Sequence, residues 1–179
     1  LGQETAENLA REKSLNKVSQ AISSSLDLST VLQTVVQLAA ELVHADASEL
    51  ELLSRDGETL ISSYTYQLPE NWSTEPLNRG TGISWSILET GKSLLQNEYC
   101  LHPQAIDGVK CADIRSYIGV PIISGSAPLG VLCLFRRTTS AQFTERDLLL
   151  SEMIGRQAGI AIQNARLYES LQIRAKEAE

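Results

Sequence analysis

Few of the residues that build catalytic or metal sites are present. The chain has two histidines, His44 and His102, and three cysteines, Cys100, Cys111 and Cys133. With so few histidines no Ser-His-Asp order is workable, and the cysteine spacing fits no common zinc pattern. No catalytic residues and no metal ligands are therefore expected. An odd number of cysteines without a secretory signal points to free thiols in a reducing compartment, so a cytoplasmic location is expected. The N-terminus is polar and charged rather than a signal peptide, and no apolar run approaches the length of a membrane span. Blocks of like charge are missing too. The net charge is -7 with Lys and Arg scattered, so no phosphate-binding stripe forms and neither nucleic acid nor membrane is expected as a partner. Gly80-Thr81-Gly82 is too short for a phosphate loop. No internal repeat is visible. The chain also lacks an initiator Met and is expected to be cut from a longer protein.

What is there reads as alternating helix and strand patterns. Residues 4–26 are rich in Glu, Ala, Leu, Lys and Ser, with Leu15, Val18 and Ile22 on one helical stripe. After the cap region at Asp27 to Thr30, the positions Leu32, Val35, Val36, Ala39, Leu42 and Val43 form an amphipathic face. The period then changes to two. Ser48-Glu49-Leu50-Glu51-Leu52 alternates as a strand does, Asp56-Gly57 signals a hairpin, and Thr59 to Tyr66 is the return strand. Leu68 to Arg79, with Pro69 and Pro76, reads as loop. Ile83 to Leu88 is a short helix that Gly91 can end. Ser93 to Gln96, Ser116 to Ile123 and Leu129 to Arg136 read as strands, with Pro121 weakening the end of the second. Hairpin-joined strands with helices grouped at both ends predict an α+β fold around an antiparallel sheet of about six strands. Helices over 28–45 and 145–175 should cover one face, and a loop and short-helix roof over 68–114 the other. The expected core includes Leu32, Val36, Leu50, Leu52, Ile118, Val120, Leu132, Leu134, Met153 and Ile160.

The C-terminal third carries two apolar stripes at helical spacing. One runs Leu149, Met153, Ile160, Leu167, Leu171; the other runs Leu150, Ile154, Ala158, Ala161, Ala165, Tyr168. Thr144 and Asp147 form a capping box at its start. We expect the first stripe to pack on the sheet. The second is expected to join Leu15, Val18 and Ile22 in a parallel homodimer, its small alanines allowing close approach. The alternative is a helix buried on two sides within one domain.

Five segments together resemble the GAF domain family. Val31 to Ala45 followed by Asp46-Ala47 is similar to the family's opening helix and first strand. Gly80-Thr81-Gly82-Ile83 through Glu89-Thr90-Gly91 is similar to its Gly-x-Gly helix ending in Thr-Gly. Ser116 to Ile122 resembles the Val-Pro strand, Leu129 to Leu132 the Gly-Val-Leu strand, and Phe143 to Asp147 with Gln157 to Tyr168 the closing helix. The resemblance implies a helical linker over 1–26, a GAF domain over 27–170 and a second helical linker over 171–179 leading to an output domain in the same polypeptide. It implies a non-catalytic sensory or dimerisation domain of a cytoplasmic signalling protein, such as a histidine kinase, response regulator or cyclic-nucleotide enzyme. Such a domain takes an unknown small molecule or none.

The lining expected under the roof is Tyr64, Trp85, Cys100, His102, Arg115, Tyr117 and Cys133, aromatic bodies with polar tips. Some relatives attach a linear tetrapyrrole through a cysteine followed by histidine. Here Leu101 separates Cys100 from His102, and a photosensory domain holding a bilin on Cys100 is the alternative function. The cyclic-nucleotide signature of other relatives is incomplete: Phe143 and Asp147 are present, but no Asn-Lys pair is, and Leu148 follows the Asp. Glu49 and Glu51 point away from Leu50 and Leu52. Because Glu is rarely fully buried, the preferred reading places them at the surface. The other reading puts them in the pocket beside Arg115 or a ligand.

Overall fold

In the computed structural model, residues 4–13, 27–106 and 113–179 are described. Six strands form one antiparallel sheet in the order β3-β2-β1-β6-β5-β4. They are β1 (Ala47–Leu53), β2 (Thr59–Tyr66), β3 (Leu77–Asn78), β4 (Leu94–Gln96), β5 (Ile114–Ser124) and β6 (Ala127–Arg137). Three helices accompany them: α1 (Leu28–Leu42), α2 (Ile83–Thr90) and α3 (Glu145–Glu177). Residues 4–13 are also helical, and Glu7 pairs with Arg146 at 3.3 Å. The expected α+β architecture is the one observed. β3 was not foreseen; it is two residues inside a stretch rich in proline and polar residues.

Period-two alternation in the central strands divides the molecule into two cores. On one face Leu50, Ile118, Val120, Leu132 and Leu134 pack against Val31, Leu32, Val35 and Val36 of α1 and Ile154 and Ala158 of α3. On the other face Leu60, Tyr117, Val131, Cys133 and Phe135 pack against Ile83, Trp85 and Ile87 of α2 and against Tyr99. β1 and β6 are antiparallel neighbours, with Glu49 opposite Cys133 and Glu51 opposite Val131. A bulge in the β1–β2 pairing follows the match of Leu50 with Tyr64, so that Ser62 stands opposite Glu51. Pro121 does not end β5, because β4 pairs only with Tyr117, Ile118 and Gly119 and leaves Pro121 beyond its reach.

Each long helix starts on a side-chain cap. Asp27 accepts a bond from the Ser29 N–H, and Thr144 and Asp147 form the expected capping box. Arg136, on β6, joins the two helices. Its guanidinium donates to the Val43 and His44 carbonyls at the end of α1, at 2.6 and 3.2 Å, and to Ala141 and Gln142 before α3. It also pairs with Asp147 at 3.7 Å and lies over the Phe143 ring at 4.4 Å. His44 closes α1 in a left-handed conformation, with φ of 54°.

The stripe assignment on α3 is reversed. Leu150, Ile154, Ala158 and Ala161 are buried against the sheet and α1, so they cannot form a subunit interface. Ala165 is half-buried and Tyr168 exposed. Met153 and Ile160, expected in the core, are 39% and 49% exposed, and Leu149, Leu167 and Leu171 more so. The reason is steric. Gly155 and Gly159 flank the buried stripe, and a Cβ on either would stand 2.7 Å from Val120 Cγ1 or the Ile123 carbonyl of β5. Only the small-residue side of the helix can come that close. Leu15, Val18 and Ile22 lie outside the described residues.

Ile154→Ala is expected to cost about 2–5 kcal/mol as a buried large-to-small change, and Ile160→Ala under about 1 kcal/mol as a half-exposed one. Urea unfolding of both variants checks this. Equal losses would return Ile160 to the core.

Candidate functional site

Between the sheet and its roof lies a cavity of about 140 Å³. The central strands supply its floor: Glu49 and Glu51 from β1, Cys133 and Phe135 from β6, Tyr117 from β5 and Ser62 from β2. The roof supplies Trp72, Ser73, Glu75, Leu77, Ile83, Ser84, Tyr99 and Ile106. Glu49 and Glu51 are only 4% and 6% exposed, which corrects their expected surface position. Strand alternation aims them at this face, and the segments 68–84 and 99–106 cover them. Arg115 is not their partner; it pairs with Glu98 at 3.1 Å.

The polar atoms form a short chain. Glu51 Oε1 accepts from Ser84 Oγ at 2.6 Å and from the Cys133 thiol at 3.1 Å. Both hydrogens are then committed, so the Tyr117 hydroxyl, 3.4 Å from Cys133 Sγ, donates to sulfur. The Tyr117 ring has room because Gly119 has no side chain; a Cβ there would strike the phenol oxygen and Ile87. Glu49 Oε2 accepts from Trp72 Nε1 at 3.3 Å. Ser62 Oγ is buried near Glu49, but outside hydrogen-bond geometry. Aromatic rings line one side in sequence. Trp72 meets Phe135 edge-on at 4.5 Å between centroids, and Phe135 and Tyr99 each lie 5.5 Å from Tyr117.

Burial raises Glu49, Glu51, Tyr99, Tyr117 and Cys133. Desolvation, and then the neighbouring Glu51 charge, push Glu49 from 4.5 to about 8. Desolvation raises Glu51 as well, against the bonds from Ser84 and Cys133. The two carboxyls titrate as a pair that keeps at least one proton at neutral pH. Desolvation and the Glu51 charge hold Cys133 well above the usual thiol range, so it is an inert thiol rather than a nucleophile. Tyr117 is raised for the same reasons, desolvation first.

Of the expected lining residues, Tyr117 and Cys133 are in place. Tyr64 lies on the helix side, 3.3 Å from Ser29 Oγ. Trp85 is buried but turned aside, donating to the Leu77 carbonyl at 2.9 Å under the Arg79 guanidinium. Cys100 sits in a 3-10 turn (Tyr99–Leu101), exposed and outside the cavity lining. His102 Nδ1 accepts from the Gln104 N–H and does not line the cavity either. No group of three or more His, Cys, Asp or Glu among the described residues could hold a metal ion. Trp72 and Ser84 were missed. Trp72 comes from a loop without periodicity, while Ser84 follows Gly82 in the first turn of α2.

An antiparallel sheet with two long helices on one face and a roofed cavity on the other is a recurring α+β architecture. The chain belongs to the GAF domain family, whose model matches residues 27–162. A Nif-specific regulatory protein of Herbaspirillum seropedicae is 26% identical over 165 residues, which is 87% of this chain and 29% of that protein. This chain thus spans under a third of that relative's length. Solved structures show the same fold. The GAF domain of a phosphoenolpyruvate-protein phosphotransferase from Coxiella burnetii matches with a TM-score of 0.79 and 21% identity, over 89% of this chain and 96% of that one. The free methionine-R-sulfoxide reductase of Neisseria meningitidis, solved with its substrate, matches with a TM-score of 0.77 and 18% identity, over 88% and 91%.

The carboxyl pair makes stability depend on pH. A carboxyl raised from 4.5 to about 8 in the folded state binds more protons folded than unfolded across that window. Its stabilisation is complete at low pH and is lost as pH rises through about 8. The melting temperature should therefore fall between about pH 5 and about pH 9, and fall less in Glu49→Gln, as scanning calorimetry would show. A variant with the same slope as the wild type would mean that Glu49 is not raised.

Proposed function

We propose that this chain is the sensory domain of a multidomain cytoplasmic regulatory protein, taking a small molecule in the cavity and reporting it through α3 and the N-terminal helical segment. The observation that carries this reading is the cavity built on β1, β5 and β6, since the opposite face of β1 carries α1 and that of β5 carries α3. Its family membership and its likeness to a regulatory protein over part of that protein's length support the same reading. Non-catalytic action fits the chemistry, since the one thiol among the described lining residues, Cys133, is held protonated. The bilin alternative is disfavoured. Cys100 is outside the cavity lining, and about 140 Å³ is well below the roughly 300 Å³ at which pockets for drug-sized ligands begin.

A metabolite screen by thermal shift tests the reading, with Ser62→Phe as the variant that fills the cavity. A true ligand at about a hundredfold over its Kd adds roughly 2.7 kcal/mol, a shift of about 5–10 °C for a chain of this size. The shift should vanish in folded Ser62→Phe. A screen without hits, or hits unaffected by that variant, would remove the cavity from the function.

The proposed assembly is a homodimer, now through the exposed stripe of Leu149, Met153, Ile160, Leu167 and Leu171, all between 39% and 64% exposed. A second copy of the same stripe is its natural cover, because the spacing repeats along the whole helix. Sedimentation at tens of micromolar should find a dimer, which Leu167→Glu with Leu171→Glu splits without unfolding the domain. A monomeric wild type, or a dimer indifferent to both changes, would rule this face out.

A further inference from the structure

The cavity's chemistry is one-sided. Glu49 and Glu51 lie in its wall and Glu75 also lines it, while no Lys, Arg or His among the described residues does. Acceptors outnumber free donors. Trp72 Nε1 is used on Glu49, Ser84 and Cys133 are used on Glu51, and the Tyr117 hydroxyl is used on Cys133. What remains is the Ser62 hydroxyl, buried beside Glu49 without a hydrogen-bond partner, and the two carboxyl side chains themselves, more than nine-tenths buried in the cavity wall. The donors described go to Glu49 Oε2 and Glu51 Oε1. Both side chains line the cavity, so their carboxyls face whatever enters it.

An anionic guest would face three carboxyl side chains and no cationic side chain among the described lining residues. A neutral apolar guest would leave the carboxyl oxygens unmet, which is costly in a dry site. A divalent metal would need a third ligand that the described residues do not bring together. A guest that donates hydrogen bonds and carries positive charge meets every demand. It would bond to the two carboxyls and lie against the rings of Trp72, Tyr117 and Phe135, whose faces attract cations. The volume of about 140 Å³ sets its size, being close to that of an engineered cavity that accepts benzene.

The geometry points to a small organic cation, an amine of roughly benzene size, held between the carboxyls of Glu49 and Glu51 and the aromatic wall. This rests on the reading of the cavity as the sensory site and names the class of molecule it takes. Binding carries a proton balance. The empty cavity holds protonated carboxyl; the arriving ammonium keeps its own protons and favours carboxylate, so one proton leaves to solvent. The groups facing the pair are Glu75 from the loop before β3, Ser84 from α2, Tyr99 from the 3-10 turn, Tyr117 from β5 and Cys133 from β6. Desolvation raises Tyr99, Tyr117 and Cys133, leaving all three neutral below about pH 8, so the exchangeable proton belongs to the carboxyls.

Titration calorimetry on the 179-residue chain decides the matter, using butylammonium, butanol and butyrate as a size-matched series and tetramethylammonium as a second cation. Butylammonium should bind more tightly than butanol, and butyrate not at all. Its affinity should rise about tenfold per pH unit between about pH 6 and about pH 8, with release of one proton read from buffers of different ionisation heat. Glu49→Gln and Glu51→Gln keep the side-chain shape, and should weaken butylammonium at least about tenfold and flatten its pH dependence. Butanol or butyrate binding as well as butylammonium would overturn the proposal. So would failure of both cations, cation binding indifferent to pH and to both variants, or equal stabilisation by calcium or magnesium alone. A neutral or anionic compound that binds, and is lost in Ser62→Phe, would sink the cation but leave the sensory reading standing. A cavity that takes nothing would end both.

Discussion

Arg136 is the point on which the helix layer depends. It stands on a central strand and spends its donors on four backbone carbonyls, two at the end of α1 and two just before α3. The two at the end of α1 are of the kind a helix C-terminus leaves over, and the two before α3 belong to the connecting segment. Its ion partner Asp147 is also half of the capping box that starts α3. One side chain therefore ties the end of one helix and the start of the other to β6. A lysine could replace the charge but not the planar fork that reaches several carbonyls at once.

The sheet works as a partition with chemistry on one side and packing on the other. Neighbouring residues of one strand serve opposite tasks. Leu50 packs under α1 while Glu49 and Glu51 line the cavity, and Leu132 and Leu134 do the same around Cys133. No loop or hinge stands between the two functions. A displacement of a carboxyl in the cavity is, one peptide unit away, a displacement of a leucine under the helices.

The alternation that builds this partition was plain in residues 48–52 and 129–136, and Cys133 lies on its cavity side; Tyr117, from a separate strand, was expected in the lining for its aromatic body and polar tip. The same alternation had aimed Glu49 and Glu51 at the cavity, but the general rarity of buried glutamate argued for the surface. What reversed that preference was cover: Trp72, Ser84 and Tyr99 close over the pair from segments far along the chain, and a strand pattern says nothing about a roof. The α3 error has a different cause. Two stripes with equal helical spacing differ only in side-chain size, and bulk suggested core. Gly155 and Gly159 held the better clue, since glycines beside a helix stripe mark where another backbone must come close. Trp72 was invisible because an aperiodic loop carries no phase from which to infer direction.

Those two glycines also act mechanically. They seat α3 on β5 at its closest approach, and the last buried residue of the helix, Ile162, follows within a turn. From Gly159 to Glu177 the helix extends about 27 Å at roughly 1.5 Å per residue, exposed along nearly all of that length. It is a lever with its fulcrum at the sheet. A tilt of about five degrees at the seat, within what a side-chain rearrangement can impose, moves the far end by about 2 Å, roughly a third of a helical turn.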